Sequence, residues 1–308
     1  MKTTGQQPLT DNVTVAVAMS TYNGERFVAD QIDSVLAQEG CDVHLFVRDD
    51  GSRDGTADIL RDYAARGLIV LDAGENKGMV PSFFAALAMV PDTFEFIAFC
   101  DQDDVWHSDK LSRALSVLAQ RDQTIPQLYC SEYIFCDEQL NRTTRSHLNR
   151  NGVSFPKLMA ENVCSGNTMV MNRALVTELL ADGPEDVYVH DWWTALVAAG
   201  LGELTYDDFP SLEYRRTGGT ISPTGSSGIP LLLFRIRTFF GKGQLSCIST
   251  QLRRYRDRYE SRLKPEDRKL LVRMTDGNRF AKAFTPTRLR QKLPDEVAVR
   301  LFYLAGLL

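Results

Sequence analysis

No apolar run in this chain approaches the ~18 residues that a membrane span requires; runs such as residues 231–234 (LLLF) are far shorter. The opening stretch MKTTGQQPLTDN is polar and lacks the apolar core of a secretory signal, so the expected compartment is the cytoplasm. Six cysteines, at 41, 100, 130, 136, 164 and 247, form no CxxC pair and no Cys/His zinc spacing. Thiols so scattered suit a reducing environment. No GxGxxG follows the first strand-like segment, and no GxxxxGK followed by Ser or Thr occurs anywhere. Dinucleotide-dependent dehydrogenases and P-loop kinases are thereby disfavoured. No internal repeat is present. What remains is ordinary globular material: 44% hydrophobic and 24% charged residues exclude disordered and fibrous classes. A length of 308 residues allows one large domain or two modest ones.

The net charge of −5 hides a division. Residues 229–308 carry 18 Lys and Arg against 7 Asp and Glu, whereas residues 1–228 carry 17 against 33. An acidic body with a basic end could meet an anionic surface, including a membrane; the plainer alternative is a solvated helical appendage. No nucleic-acid recognition motif accompanies the basic segment, so nucleic acid is not an expected partner.

Residues 13–20 (VTVAVAMS) form a β-branched apolar run that exits into Tyr22, Asn23 and Gly24. Helical spacing follows over 27–38, then strand-like 43–47, helical 56–65, strand-like 68–71, helical 81–89 and strand-like 94–100. Strands alternating with helices of about ten residues predict right-handed βαβ units and a mainly parallel sheet. The polar clusters fall at strand ends, where ligands bind in such sheets. Beyond residue 110 the pattern predicts helix over 111–119, strand over 127–135, a polar and mobile stretch over 137–160, strand over 167–171, helices over 173–180 and 192–199, and a last strand at 204–206. Residues 216–228, rich in Gly, Ser and Thr, read as a linker before basic helices at 249–262 and 265–274. The expected organisation is a tail (1–12), a main domain (13–228) with a nucleotide-binding half (about 13–110) and an acceptor half (about 111–228), and a basic helical region (229–308).

Asp101, Asp103 and Asp104 stand directly after the apolar run 94–100. Three carboxylates at a buried strand end repel one another unless a cation lies among them. Oxygen ligands suit Mg²⁺ or Mn²⁺, which commonly complete their shells with substrate phosphates. The structural alternative is a helix N-cap, for which a single Asp would suffice. Asp49 and Asp50 end the second strand before Gly51 and Ser52, a pattern that is also plain turn chemistry. Beside Thr21, Tyr22 and Asn23, a carboxylate there can accept the imide N–H of uracil or thymine, with Tyr22 packing on the ring.

In order and spacing, Thr21-Tyr22-Asn23-Gly24, DDGSRDGT (49–56), Asn76-Lys77-Gly78 and FCDQDDVW (99–106) resemble the family-two glycosyltransferases of the GT-A fold. The form CDQDDVWHSDKL is most similar to their bacterial rhamnosyltransferase branch, and the likeness continues through ENVCSGNTMVMNRAL (161–175), HDWW (190–193) and YRRTGGTIS (214–222). The resemblance covers about residues 13–222. It implies a Rossmann-like central sheet flanked by helices, with the basic helical region as a C-terminal extension. It implies that Asp49 reads the nucleobase, Asp101 contacts ribose or metal, Asp103 holds the divalent ion bridging the diphosphate, Lys77 helps hold the phosphates, and Asp191 is the general base. Related sequences carry a His in the loop corresponding to YRRTGG. Here Thr217 holds that place behind Arg215 and Arg216, which can clamp a diphosphate bidentately.

Inverting sugar transfer needs one carboxylate to take the acceptor proton and positive charge for the leaving diphosphate. Asp191 suits the first need, although it also suits the N-cap of the helix that follows. Trp192 and Trp193 can form a stacking wall for a sugar or be plain core; Asp104 and Trp106 complete the expected acceptor side. The expected activity is inverting, metal-dependent transfer of a sugar from a dTDP- or UDP-sugar, with dTDP-L-rhamnose favoured by the resemblance. The acceptor is a hydroxyl of a cell-surface polysaccharide or lipid-linked glycan, and the basic end would hold the protein on the inner face of the membrane. The alternatives are a binding module that has lost catalysis and a sugar nucleotidyltransferase, whose Gly-rich loop after strand one is replaced here by STYNGERF.

Overall fold

Alternation along the first strand explains the layering of the molecule. In β1 (Thr14–Thr21), Val15, Val17 and Met19 enter one apolar cluster while Ala16 and Ala18 enter another on the opposite face. A strand buried on both sides needs helices above and below it. The computed structural model describes residues 13–216 and 244–307. The expected tail 1–12, Thr217 with the rest of the Gly/Ser/Thr-rich linker, and residues 229–243 lie outside them.

β1, β2 (Asp42–Asp49), β3 (Ile69–Ala73) and β4 (Phe96–Cys100) pair in parallel in the order β3-β2-β1-β4. The crossovers are α1 (Val28–Leu36), α2 (Thr56–Ala65) and α3 (Met79–Ala88). Register sets Thr21 opposite Asp49 and Met19 opposite Cys100. The loops after β1, β2 and β4 therefore emerge together at one carboxyl edge.

Beyond β4 the sheet is mixed. β5 (Val105–Trp106), β6 (Gln127–Cys136), β8 (Val170–Asn172) and β9 (Glu203–Arg215) continue it in the order β4-β8-β6-β9-β5, and β7 (Arg142–Arg145) pairs with β6. Only β6–β9 is parallel here; β4–β8, β8–β6, β6–β7 and β5–β9 are antiparallel. The expected parallel sheet is thus confined largely to the first hundred residues. Four further helices, α4 (Lys110–Leu118), α5 (Phe155–Leu158), α6 (Arg173–Asp182) and α7 (His190–Leu201), pack on this half.

Several elements differ from expectation. Residues 137–160 contain β7 and α5, and their backbone is held by Gln291, which accepts the N–H groups of Arg150 and Asn151 at 3.0 and 2.7 Å. The last strand is thirteen residues long; the Asp207, Asp208 and Pro210 that mask it in sequence accompany shifts in its register with β6.

The C-terminal region comprises α8 (Gln244–Tyr259), α9 (Pro265–Asp276), α10 (Arg279–Ala283) and α11 (Leu293–Leu304). It is neither a free basic tail nor a solvated appendage. Tyr255, Tyr259, Leu271 and Tyr303 join the core cluster that contains Leu128 and Trp193. Three of its arginines are directed at the acidic body: Arg254 and Arg258 pair with Asp182 at 2.9 and 3.2 Å, and Arg262 pairs with Glu178 at 2.6 Å. Part of the charge asymmetry in the sequence is therefore met inside the molecule.

Candidate active site

Each loop at the carboxyl edge is fixed by short polar side chains. Asp49 is buried, and its carboxylate accepts Thr21 Oγ1–H at 2.9 Å, Ser52 Oγ–H at 2.6 Å and the Ser52 N–H at 3.1 Å. Asp50 accepts the backbone N–H groups of Lys77 and Gly78, each at 2.9 Å. Asp50 thus shapes the loop that carries Lys77, whose side chain is exposed. Gly51 has φ +76°, and a Cβ there would meet Asn76 N and Gly74 O at 3.0 Å, so the two loops approach too closely for any other residue. Asn23 accepts the Arg53 N–H at 2.8 Å, which ties the first loop to the second.

Gln102 was not anticipated. Its Oε1 accepts the Tyr22 N–H at 2.8 Å and its Nε2 donates to the Tyr22 carbonyl at 3.1 Å. This two-point clamp sets the half-exposed Tyr22 ring beside the Asp101 and Asp103 loop.

Asp101 lies close enough to Asp103 and Asp191 to feel the charge of both. Burial lifts the Asp101 carboxyl to about 7, and the negative charges of Asp103 and Asp191 add to the effect. Asp103 is also raised by burial, while the Arg215 guanidinium opposes the shift. Asp191 is lifted by burial to about 6, with the N–H groups of Trp192 and Gly166 pulling it down. Asp101, Asp103 and Asp191 keep some surface open. Like charges crowded in a low-dielectric cleft mark a place built for a cation or a proton.

Asp104 does not face this cleft as an acceptor contact. It is 1% exposed and accepts Asn167 Nδ2–H and, at 3.3 Å, the Arg215 N–H. It ties the end of β4 to the 166–168 turn and to the end of β9. Lys110 supports the same turn by donating to the Asn167 carbonyl at 3.0 Å. Lys110 is fully buried, and burial lowers its amine to about 8.

The expected aromatic wall is also corrected. Trp193 is 0% exposed and lies against Tyr255 and Tyr259 beneath α8, with ring centroids 5.8 and 6.2 Å away. Trp192 is buried with its indole N–H on the Leu158 carbonyl, and Trp106 is buried with Lys110 Nζ 4.4 Å from its ring centre. α7 is apolar nearly all round and buries its Trp192 and Trp193, and Trp106 is buried on β5, so none of the three rings stands exposed to a sugar. His190 is buried too, stacked at 3.7 Å on Phe83, and burial drives its imidazole down to about 3.

Arg215, at the end of β9, lies near enough to Asp103 for its charge to lower that carboxyl. Its guanidinium donates to Asp30 at 2.7 Å and covers the Phe27 ring at 4.6 Å, while Nε and Nη1 are buried without a partner among the described residues. Arg216 stacks on Phe135 at 3.9 Å.

Among the described residues no three His, Cys, Asp or Glu side chains form a metal cage by themselves. Asp101 and Asp103 nevertheless fit a hard divalent ion: both are oxygen donors, both are raised by burial, and a bound diphosphate can supply further oxygens.

The family model for glycosyl transferase family 2 matches residues 16–180. The dTDP-rhamnosyl transferase RfbG of Shigella flexneri is 32% identical over 105 residues, which cover 32% of this chain and 36% of that protein. A UDP-Glc:alpha-D-GlcNAc-diphosphoundecaprenol beta-1,3-glucosyltransferase of Escherichia coli, WfgD, is 30% identical over 112 residues, covering 36% and 44%. The chain therefore spans less than half the length of either curated relative. Among solved structures, S. aureus TarS 1–349 in complex with UDP-GlcNAc superposes with a TM-score of 0.53 at 14% identity, covering 95% of this chain and 92% of that one. The mannosyltransferase PcManGT from Pyrobaculum calidifontis, solved with GDP-Man and Mn²⁺, gives 0.52 at 17% identity and covers 96% and 75%. These neighbours share the GT-A fold.

Proposed function

The chain belongs to glycosyl transferase family 2, and from that premise we propose that it is an inverting, divalent-metal-dependent glycosyltransferase acting on a nucleoside-diphosphate sugar. The observation that supports this reading is the nearness of Asp101 to both Asp103 and Asp191, whose charges each raise its carboxyl.

In this proposal Asp49, with Thr21, Tyr22 and Asn23, receives the nucleobase, and Asp50 holds the Lys77 loop at the phosphates. Asp101 and Asp103 hold Mn²⁺ or Mg²⁺, which when bound supplies the positive charge that stabilises a leaving diphosphate. The unpartnered Nε and Nη1 of Arg215, whose charge reaches Asp103, suit an anion, and Arg216 follows it in the chain. Asp191 takes the acceptor proton. The backbone N–H of Gly166 holds its Oδ2 at 3.2 Å, so the carboxylate is oriented before substrate arrives. The acceptor oxygen bonds to the anomeric carbon, the bond from that carbon to phosphate breaks, and its electron pair leaves with the nucleoside diphosphate.

The favoured donor is dTDP-L-rhamnose, supported by the 32% identity to a dTDP-rhamnosyl transferase over a third of the chain. The favoured acceptor is a cell-surface polysaccharide or lipid-linked glycan; the glucosyltransferase relative is named for a diphosphoundecaprenol-linked sugar. The test is turnover of a panel of dTDP-, UDP- and GDP-sugars with Mn²⁺ or Mg²⁺. dTDP-L-rhamnose should be consumed fastest, and Asp191→Asn should lower kcat by about 10²–10⁴ while donor binding persists. A wild type that binds donor yet releases no nucleoside diphosphate with any acceptor would instead mark a binding module.

A further inference from the structure

Ten large apolar side chains stand exposed among the described residues, and six of them fall within residues 280–307: Phe280, Phe284, Leu293, Val297, Leu301 and Leu307. Such clustering is unlike the scattered exposure of a soluble surface. On α11, Leu293, Val297 and Leu301 recur every fourth residue, opposite the buried Val299 and Tyr303. Arg300 flanks this row, and its guanidinium reaches the carbonyls of Ala283 and Thr285 at 2.9 and 2.8 Å. The Phe284 end of α10 therefore borders the row, giving one apolar face.

We propose that this face of α10 and α11 is a membrane-docking surface that seats the protein on anionic lipid headgroups. The charge around it supports that occupant over a second copy of the chain. Residues 279–307 carry six Lys and Arg against two Asp and Glu. Arg279 and Lys292 are exposed beside Phe280 and Leu293. The side-chain hydrogen bonds of Arg288 and Arg290 run to backbone carbonyls, which hold a guanidinium without cancelling its charge. Of the two acids, Glu296 is buried and paired with Arg300 at 2.6 Å. Two copies meeting through such a face would bring like charges together, whereas an anionic bilayer satisfies both the apolar row and its cationic rim. No described helix is long and apolar enough to cross a membrane, so α11 would lie in the interface plane.

The face is also fastened to the acceptor side of the cleft. The Gln291 N–H donates to Glu161 at 2.7 Å, Asn151 donates to the Gln291 carbonyl at 2.6 Å, and the Arg290 guanidinium donates to the Ala160 carbonyl. Residue 161 leads within five residues to Gly166, whose N–H holds Asp191. Docking would thus be transmitted to the segment that orients the base, a consequence that rests on the glycosyl-transfer reading; the docking itself does not.

The experiment is co-sedimentation of the purified full chain with vesicles of phosphatidylglycerol mixed with phosphatidylethanolamine, and with vesicles of phosphatidylcholine alone, which requires no activity. Wild type should bind the anionic vesicles and barely bind the neutral ones. The triple variant Leu293→Ser, Val297→Ser, Leu301→Ser should lose at least about tenfold in vesicle affinity at unchanged circular dichroism. Arg279→Glu with Lys292→Glu should weaken anionic binding alone, and this pair tests the idea even where the triple variant fails to fold. Wild type that ignores anionic vesicles, or variants that bind as well as wild type, overturn the proposal. So does light scattering that finds a wild-type oligomer dissociated by the triple variant, which would make the face a contact between copies.

Discussion

Gly166 donates its backbone N–H to Oδ2 of Asp191 at 3.2 Å, and a Cβ on Gly166 would lie 2.8 Å from His190 Nε2 and 3.2 Å from Asp191 Cβ. His190 cannot retreat, because its ring is stacked on Phe83 and edge-on to Phe99. Gly166→Ala should therefore displace Asp191 and, if that carboxylate is the base as proposed, lower kcat by about ten- to a hundredfold, with a loss of stability of about 1–3 kcal/mol. Donor affinity, set across the cleft, should hold. Single-turnover kinetics beside calorimetric donor binding check this; equal kcat in the variant would mean that Asp191 is not held by this contact for chemistry.

The same carboxyl predicts the shape of the pH profile. A base works ionised, and burial has raised Asp191 to about 6. The transfer rate should climb as pH rises through about 6 and then level off, with no such limb in the residual activity of Asp191→Asn. An acidic limb centred near 4, the ordinary carboxyl range, would contradict the burial argument.

The crowded carboxylates predict a linkage between pH, metal and stability. Asp101 at about 7 and Asp191 at about 6 both lie above the ordinary 3.8, so the folded protein keeps protons there that the unfolded chain has released. Their contribution is fully present below about 4 and is lost as pH rises through 6 and 7. Groups lowered by ion pairs elsewhere act in the opposite direction, so the contribution is isolated as wild type minus Asp101→Asn. That difference in Tm should turn against wild type as pH rises. Asp103→Asn should raise the metal-free Tm at neutral pH by relieving repulsion, yet abolish the stabilisation that Mn²⁺ gives wild type. A Mn²⁺ response that survives in Asp103→Asn would remove Asp103 from the metal site.

Strand ends carried most of what could be read in advance. The parallel half was legible because a strand buried on both faces is a near-continuous apolar run, and each run stops at its polar loop. Asp101 and Asp103 stand at one of those stops, whereas Asp191 lies at the start of α7 and is marked only by the HDWW segment. Gln102 was not legible, since its value lies in meeting Tyr22 across eighty positions of sequence. Nor was the 166–168 turn, whose Asn167 and Gly166 serve two different carboxylates, Asp104 and Asp191. The Trp pair misled for a related reason: residue type marks a ring as able to stack on sugar, but only the packing of α8 over α7 decides that Trp193 is core. The basic end misled because a charge count carries no partner, and Asp182 and Glu178 are the partners.

Asp182 tests that last relationship. Its side chain is 6% exposed, accepts Arg254 Nη2–H at 2.9 Å, and pairs with Arg258 Nε at 3.2 Å, so a single carboxylate at the end of α6 anchors α8. Removing one partner of a buried pair leaves the other charge uncompensated, and Asp182→Ala should cost about 2–4 kcal/mol. Arg254 keeps the carbonyls of residues 182 and 183, which places the loss below the upper limit for such pairs. Because Tyr255 and Tyr259 cover Trp193 from the same helix, loosening α8 should also open the core beneath it. Limited proteolysis should then cut within residues 244–307 faster than in wild type, with tryptophan fluorescence shifting to the red at the same time. An unchanged Tm with an unchanged cleavage pattern would show that apolar packing alone holds the helices, and that the arginines directed at α6 serve solubility rather than docking.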